Sequence, residues 1–138
     1  MYSLRTHLDA VADLEALWQT DPIAAADLEV FVQEAQDDPW LLDRLSQNGF
    51  NLEGDPDPII NINVSWWEAL WRGTPRRNIL RLKRWELERL GHRYRVIYMF
   101  EPAQLRYTIL GFVPRAFNYD RRHPYTQRIL AAYDDLVR

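Results

Sequence analysis

An α+β domain is predicted by three features of the sequence. Apolar residues recur every three or four positions in the first part. A later part alternates every second residue and is rich in β-branched and aromatic side chains, and the last stretch returns to helical spacing. The expected architecture is N-terminal helices packed on a three- to four-stranded antiparallel sheet, with a C-terminal helix against that sheet. At 138 residues and 47% hydrophobic, the chain has room for one domain around one core. Residues 1–138 therefore read as a single domain, with a helical part at 1–49, an insertion carrying a short helix at 50–77, and a β-meander plus helix at 78–138.

The elements follow in order. Met1 to Arg5 is a brief strand-like stretch. Residues 7–20 place Leu8, Val11, Leu14, Leu17 and Trp18 on one helical stripe. Asp21-Pro22 breaks that helix and starts the next, which runs over 22–36 with Ile23, Ala26, Val30 and Phe31 inward. Asp37-Asp38-Pro39 leads into a short helix around Trp40, Leu41, Leu42 and Leu45. Residues 50–63 read as a loop followed by an edge strand at Ile59 to Asn63. Ser65-Trp66-Trp67-Glu68 has capping-box spacing, which predicts a helix from Trp66 to Arg72, ended by Gly73-Thr74-Pro75.

From Asn78 to Glu88 the period becomes two, with Leu80 and Leu82 on one face and Arg81 and Lys83 on the other. Residues 93–100 and 105–113 are two further strands, joined by a turn at Glu101-Pro102-Ala103-Gln104 and closed by Pro114. His123-Pro124 opens a last helix with Tyr125, Ile129, Leu130, Tyr133 and Leu136 on one face.

Composition narrows the chemistry. Without cysteine there is no disulfide, thiol nucleophile or thiolate-bound zinc, and His7, His92 and His123 are too scattered to suggest a metal site. No secretory signal and no membrane-length apolar run is visible, which predicts a cytoplasmic chain without a membrane partner. The net charge of -3 divides sharply: residues 1–71 hold two arginines against fourteen acids, and residues 72–128 hold fourteen cations against four acids. Such asymmetry points either to an anionic partner or to an acidic half folded onto a basic one. Lys83 is the only lysine, and the arginines around it bring the two-pronged donor set suited to phosphate.

The segments NILRLKRWELE, HRYRVIYMF, YTILGFVPRAFNYD and HPYTQRILAAY together resemble the RelE/ParE superfamily of toxins from type II toxin–antitoxin systems, over residues 78–137. The resemblance implies a RelE-like α+β fold and metal-independent mRNA endonuclease activity without a cofactor. It also implies mRNA as substrate, on the ribosome in members of that type, and a cognate antitoxin as partner. Its ParE branch implies instead a non-catalytic inhibitor of a topoisomerase, and a phage-type interaction protein is the other alternative. By position, Arg81 and Lys83 resemble the basic pair of the family's first meander strand. Arg95 resembles the arginine opening the next strand, Arg115 the arginine past the third, and Tyr119 the tyrosine near the C-terminal end. Pro114 stands where relatives often carry histidine, so the general base is open, and residues 50–77 have no obvious counterpart.

Metal-free RNA cleavage needs a base at the 2′-hydroxyl, cations on the non-bridging oxygens and a proton for the departing 5′-oxygen. Arg81, Lys83, Arg95 and Arg115 are the expected cations, each contributing about 2–4 kcal/mol to the transition state. Their crowding should lower the pKa of Lys83, a candidate base, and Tyr119 would stack on a base or orient the phosphate. Arg76, Arg77, Arg84, Arg93, Arg121 and Arg122 are candidate nucleic-acid contacts from the same basic half. Plainer readings stay beside these. Arg81 and Lys83 suit the solvated face of a strand, and Arg95 suits an ion pair with an N-terminal acid. His92 and His123 suit surface or capping roles, and Trp66, Trp67 and Trp71 suit either a core crevice or an exposed patch.

Overall fold

The computed structural model describes residues 1–117 and 119–138. The longer helices each begin where a side chain accepts a backbone N–H, and all but the first of them carry a proline in the first turn. His7 Nδ1 accepts from Asp9 at the start of α1 (Leu8–Thr20), and Asp21 accepts from Ala24 at the start of α2 (Pro22–Gln36). Asp38 serves α3 (Pro39–Arg44), and His123 Nδ1 serves α6 (Pro124–Leu136), a capping role the His-Pro pair foreshadowed. Between these lie α4 (Glu68–Trp71) and α5 (Trp85–Arg89), each little more than a turn.

The sheet has five strands, not three or four, and it is mixed. Strands β1 (Ser3–Thr6), β2 (Ile62–Trp66), β3 (Ile79–Arg84), β4 (Tyr94–Glu101) and β5 (Arg106–Pro114) lie in the order β1-β5-β4-β3-β2. The meander β3-β4-β5 is antiparallel as its alternation predicted. Two edge strands complete it. Strand β1 pairs in parallel with β5, Ser3 opposite Arg106 through Thr6 opposite Ile109. Strand β2, supplied by the 50–77 insertion, pairs antiparallel with β3 from Ile62↔Arg84 to Trp66↔Leu80.

The capping box predicted at Ser65 does not form. Ser65 pairs with Arg81 in the ladder, the Trp66 N–H donates to Asn48 Oδ1 at 2.9 Å, and α4 begins only at Glu68. The edge strand expected at Ile59 likewise begins later, because Pro58–Ile60 is a 3-10 turn started by the Asp57 carboxylate.

Each face of the sheet has its own apolar layer. On one, Leu4, Val64, Leu80, Leu82, Val96, Tyr98, Tyr107 and Ile109 pack under α1–α3. The Tyr98 and Tyr107 hydroxyls donate to the Leu45 and Leu42 carbonyls and tie the end of α3 to the strands. On the other face, Ile79, Ile97, Met99, Leu110 and Val113 pack with Trp67, Leu70, Phe117 and the α6 residues Ile129, Ala132 and Tyr133. Beyond that second layer the same face continues through Ser65, Arg81, Lys83 and Arg95, where polar side chains replace apolar ones.

The inward faces of α1 and α2 are rotated from the expected stripes. Leu8 is 80% exposed and Ile23 58%, and Val11, Trp18, Val30 and Trp40 are also exposed. Leu17 and Phe31 are buried as expected, and Ala10, Ala24, Ala25, Leu28 and Ala35 are buried with them. Small alanines let α1 and α2 approach closely, and Asp13 turns inward because it has partners there. It takes both Nη groups of Arg128 from α6 at 2.8 and 2.6 Å and accepts the Phe112 N–H at 3.1 Å. Gly111 leaves room for this pair, since a Cβ there would stand 3.0 Å from Arg128 Nη2 and 3.3 Å from Asp13 Oδ2 and would press on both. With Asp27–Arg84 and Asp21–His92, the same pair joins the acidic half to the basic half, so part of the charge asymmetry cancels internally. No helix is long and apolar enough to cross a membrane among the described residues.

Candidate functional site

The period of two along β3 sends Leu80 and Leu82 under the helices and Arg81 and Lys83 to the opposite face. Arg81 lies between Ser65 of β2 and Ile97 of β4, and Lys83 lies beside Asn63, one residue past the Leu82↔Val96 pair. Arg95 sits opposite Val113. Arg115 follows the end of β5, where its N–H donates to the Arg93 carbonyl at 3.0 Å. Tyr119 has a left-handed backbone, φ 55°, and its ring meets Trp67 edge-on at 5.0 Å and Phe117 at 4.8 Å.

Electrostatics ties these five residues into one site. Burial is the largest cause that lowers the Lys83 pKa, followed by the positive charges of Arg95 and Arg81 and, more weakly, Arg115, with Glu88 opposing. Burial raises the Tyr119 pKa, against the pull of Arg81, Arg95 and Arg115. The depression expected at Lys83 is therefore present, with desolvation ahead of crowding as its cause. The Lys83 ammonium also stands 4.6 Å over the Trp85 ring, a cation–π contact that keeps it against the sheet.

The five are not equally free. Arg95 is 4% exposed and donates to the Glu88 carboxylate and the Tyr94 carbonyl. An ion pair was one reading of this arginine, but its partner comes from α5, not from the N-terminal half. Arg81 is half-buried and Arg115 exposed, and neither meets a carboxylate among the described residues.

Two of the six expected nucleic-acid contacts are committed elsewhere. Arg84 is 2% exposed on the helix side of the sheet, gripped by Asp27 and by the Pro58 and Ile59 carbonyls, so it has no nucleic-acid surface to offer. Its position two residues after Leu82 was the available signal, since both side chains share a face. Arg77 is held by Asp134 of α6 through two hydrogen bonds of 3.0 Å, which raise the arginine's pKa and lower the aspartate's. Arg76, Arg93, Arg121 and Arg122 are exposed. Arg76 lies 4.6 Å over the Trp71 ring, and Arg93 lines, with Arg115, a cleft of about 530 Å³ that also holds the Asp21–His92 pair.

A second cleft, of about 550 Å³, opens beside Arg81. Its lining comes from Asn48, Ser65, Trp66, Trp67, Glu68, Ala69, Arg72, Arg81 and Tyr119. The Ser65 and Tyr119 hydroxyl oxygens are sealed from water; Ser65 Oγ has no hydrogen-bond partner among the described residues, whereas the Arg95 guanidinium acts on the Tyr119 hydroxyl. An unpaired buried polar group costs about 1–3 kcal/mol, which marks Ser65 as a residue of the cleft to explain. Sequence reasoning missed Glu88, Ser65 and this cleft, because residues 50–77 showed no pattern that placed them against β3.

Chemically, the arrangement offers two guanidinium groups without carboxylate partners among the described residues, a third held in place by Glu88, an amine whose pKa is lowered by burial and neighbouring charge, and a phenol. Such a set suits an anionic ester better than a neutral substrate. The chain matches no family model, no curated protein and no solved structure.

Proposed function

We propose that the chain is a RelE-like toxin of a type II toxin–antitoxin system, a cytoplasmic single-domain protein that cuts mRNA without a metal ion. One observation carries this reading: Arg81, Lys83 and Arg95 from two adjacent strands and Arg115 and Tyr119 from the segment after β5 stand close enough that the arginine charges act on both Lys83 and Tyr119. In the proposed reaction Lys83 takes the proton of the 2′-hydroxyl, whose oxygen attacks the adjacent phosphorus. Arg81 and Arg115 balance the charge that builds on the non-bridging oxygens. The 5′-oxygen leaves with a proton from solvent, giving a 2′,3′-cyclic phosphate and a free 5′-hydroxyl. Arg95, fixed by Glu88, keeps the local field positive and disfavours the charged form of Lys83.

The test is purified protein with ribosomes and a defined message. The expected result is cleavage that Arg81→Ala lowers by about 10²–10³-fold and chelators leave untouched. An intact transcript at excess protein would end the nuclease reading. The locked Arg95 favours a second reading, since a guanidinium already held by a carboxylate suits rigid recognition as well as turnover. In that case the protein arrests growth by binding a topoisomerase, as ParE-like inhibitors do, and Arg81→Ala relieves arrest although no RNA is cut. A cognate antitoxin is the expected regulatory partner in both cases, read by co-expression that restores growth.

A further inference from the structure

We propose that the cleft between β2, α4 and Tyr119 is a nucleobase subsite for single-stranded RNA, built by the 50–77 insertion next to the phosphate-binding cations. The proposal rests on the RNA-directed reading above and adds to it the place where a base is held. Arg81 and Tyr119 belong both to this cleft and to the cation cluster, so a strand whose phosphate meets Arg81 delivers a neighbouring base into the cleft. The walls supply what a base requires. Trp66, half-buried and stacked on Trp71 at 4.1 Å, brings aromatic surface, with the packed Trp67 and Tyr119 rings behind it, and stacking on such surface is the sequence-tolerant part of single-strand binding.

Polar groups are present for the base edge. The Ser65 hydroxyl is sealed and has no hydrogen-bond partner among the described residues, and the Tyr119 hydroxyl, which the Arg95 guanidinium acts on, is sealed as well. Asn48 spends its Oδ1 on the Trp66 N–H, which leaves its amide NH2 as a donor. Pocket size fits as well, since about 550 Å³ lies within the range of small-ligand clefts.

The experiment compares two probes of equal charge: a 2′-O-methyl RNA hexamer, which cannot be cut by its own 2′-oxygen, and the same hexamer made abasic at every position. Binding to the full chain is read by tryptophan fluorescence and by calorimetry. The expected result is about tenfold tighter binding of the base-bearing hexamer. Ser65→Leu, which fills the cleft, should erase that preference while leaving abasic binding unchanged, and Arg81→Ala should weaken both probes. Ser65→Ala, the milder change, should reduce the preference, and its melting temperature should confirm a folded protein where Ser65→Leu fails to fold. Equal affinity for the two hexamers, or a preference that survives both Ser65 variants, overturns the subsite. The nuclease reading fails separately: a base preference without cleavage of ordinary message keeps the subsite and removes the nuclease, and cleavage without a base preference does the reverse.

Discussion

Replacing Arg84 with alanine should cost much of the protein's stability and leave the chemistry of the opposite sheet face alone. The side chain donates from Nε and Nη2 to both oxygens of Asp27 at 2.9 and 3.1 Å, and from Nη1 to the Pro58 and Ile59 carbonyls at 2.8 Å each. Its guanidinium also lies 5.1 Å over the Phe31 ring. Removal strands a largely buried carboxylate and two carbonyls, and losing one partner of such a pair costs about 3–5 kcal/mol. An unfolding entropy of about 2.1 cal/mol/K per residue over 138 residues is about 290 cal/mol/K, so each kcal/mol is worth about 3.4 °C. The melting point should fall by about 10–17 °C, a large part of a margin that is typically 5–15 kcal/mol. Arg81→Ala, on the other face, should move it by less than about 3 °C. Calorimetric melts give the first number and cleavage per folded molecule at low temperature gives the second. If Arg84→Ala melts within about 3 °C of the parent, or loses activity as Arg81→Ala does, the division into a structural and a functional face is wrong.

The other expectations follow from the same contacts. Arg81→Ala and Arg115→Ala should each lower cleavage by about 10²–10³-fold with unchanged melting, read in a message-cleavage assay. Because Lys83 is the only lysine, one 15N-lysine resonance reports its side chain; it should titrate below the ordinary 10.5, and Arg95→Ala should move it upward. Burial tends to raise the Asp21 carboxyl, but hydrogen bonds from His92 and the Ala24 N–H and the charge of His92 outweigh it and hold the pKa below 3.8. A depressed carboxylate stabilises the fold above the unfolded value and loses that contribution as pH falls through the folded one. Urea midpoints should therefore drop as the pH goes below 3.8, and Asp21→Asn should flatten that limb. Tyr98→Phe should cost about 1–2 kcal/mol in urea denaturation by leaving the Leu45 carbonyl unpaired; an unchanged midpoint would remove the bond from the account.

The meander was readable because its period is unambiguous: Leu80 and Leu82 inward and Arg81 and Lys83 outward survive into the structure unchanged. Helix existence was equally plain, from Asp21-Pro22, Asp38-Pro39 and His123-Pro124 at the three starts. Helix facing was not. Periodicity weights Leu8 and Trp18 by their apolarity, whereas the fold selects Ala10 and Asp13, one for its size and the other for Arg128 and the Phe112 N–H. Strand β2 was read as an edge strand but placed too early, at Ile59 to Asn63, because Ser65-Trp66-Trp67-Glu68 has the spacing of a helix start and hides the pairing of Ser65 and Trp66 with β3. The convergence of Arg81, Lys83, Arg95 and Arg115 followed from strand order in the meander, but the acid beside Arg95 did not. Nothing local distinguishes Glu88 from Glu86 except which way α5 turns.

The parallel pairing of Ser3 with Arg106 has a consequence for how the molecule is made. At about 5–20 residues per second, the first strand waits roughly 5–20 s after synthesis before its partner exists. Throughout that interval α1–α3 have been made, but the strands whose Tyr98, Tyr107 and Ile109 cover their apolar side have not. Such delayed closure favours slow acquisition of the native state and makes the nascent chain a client for holdases. Arg95 and Arg115 follow Arg81 and Lys83 in the order of synthesis, so the cation cluster is complete only once β4 and the turn after β5 have been made.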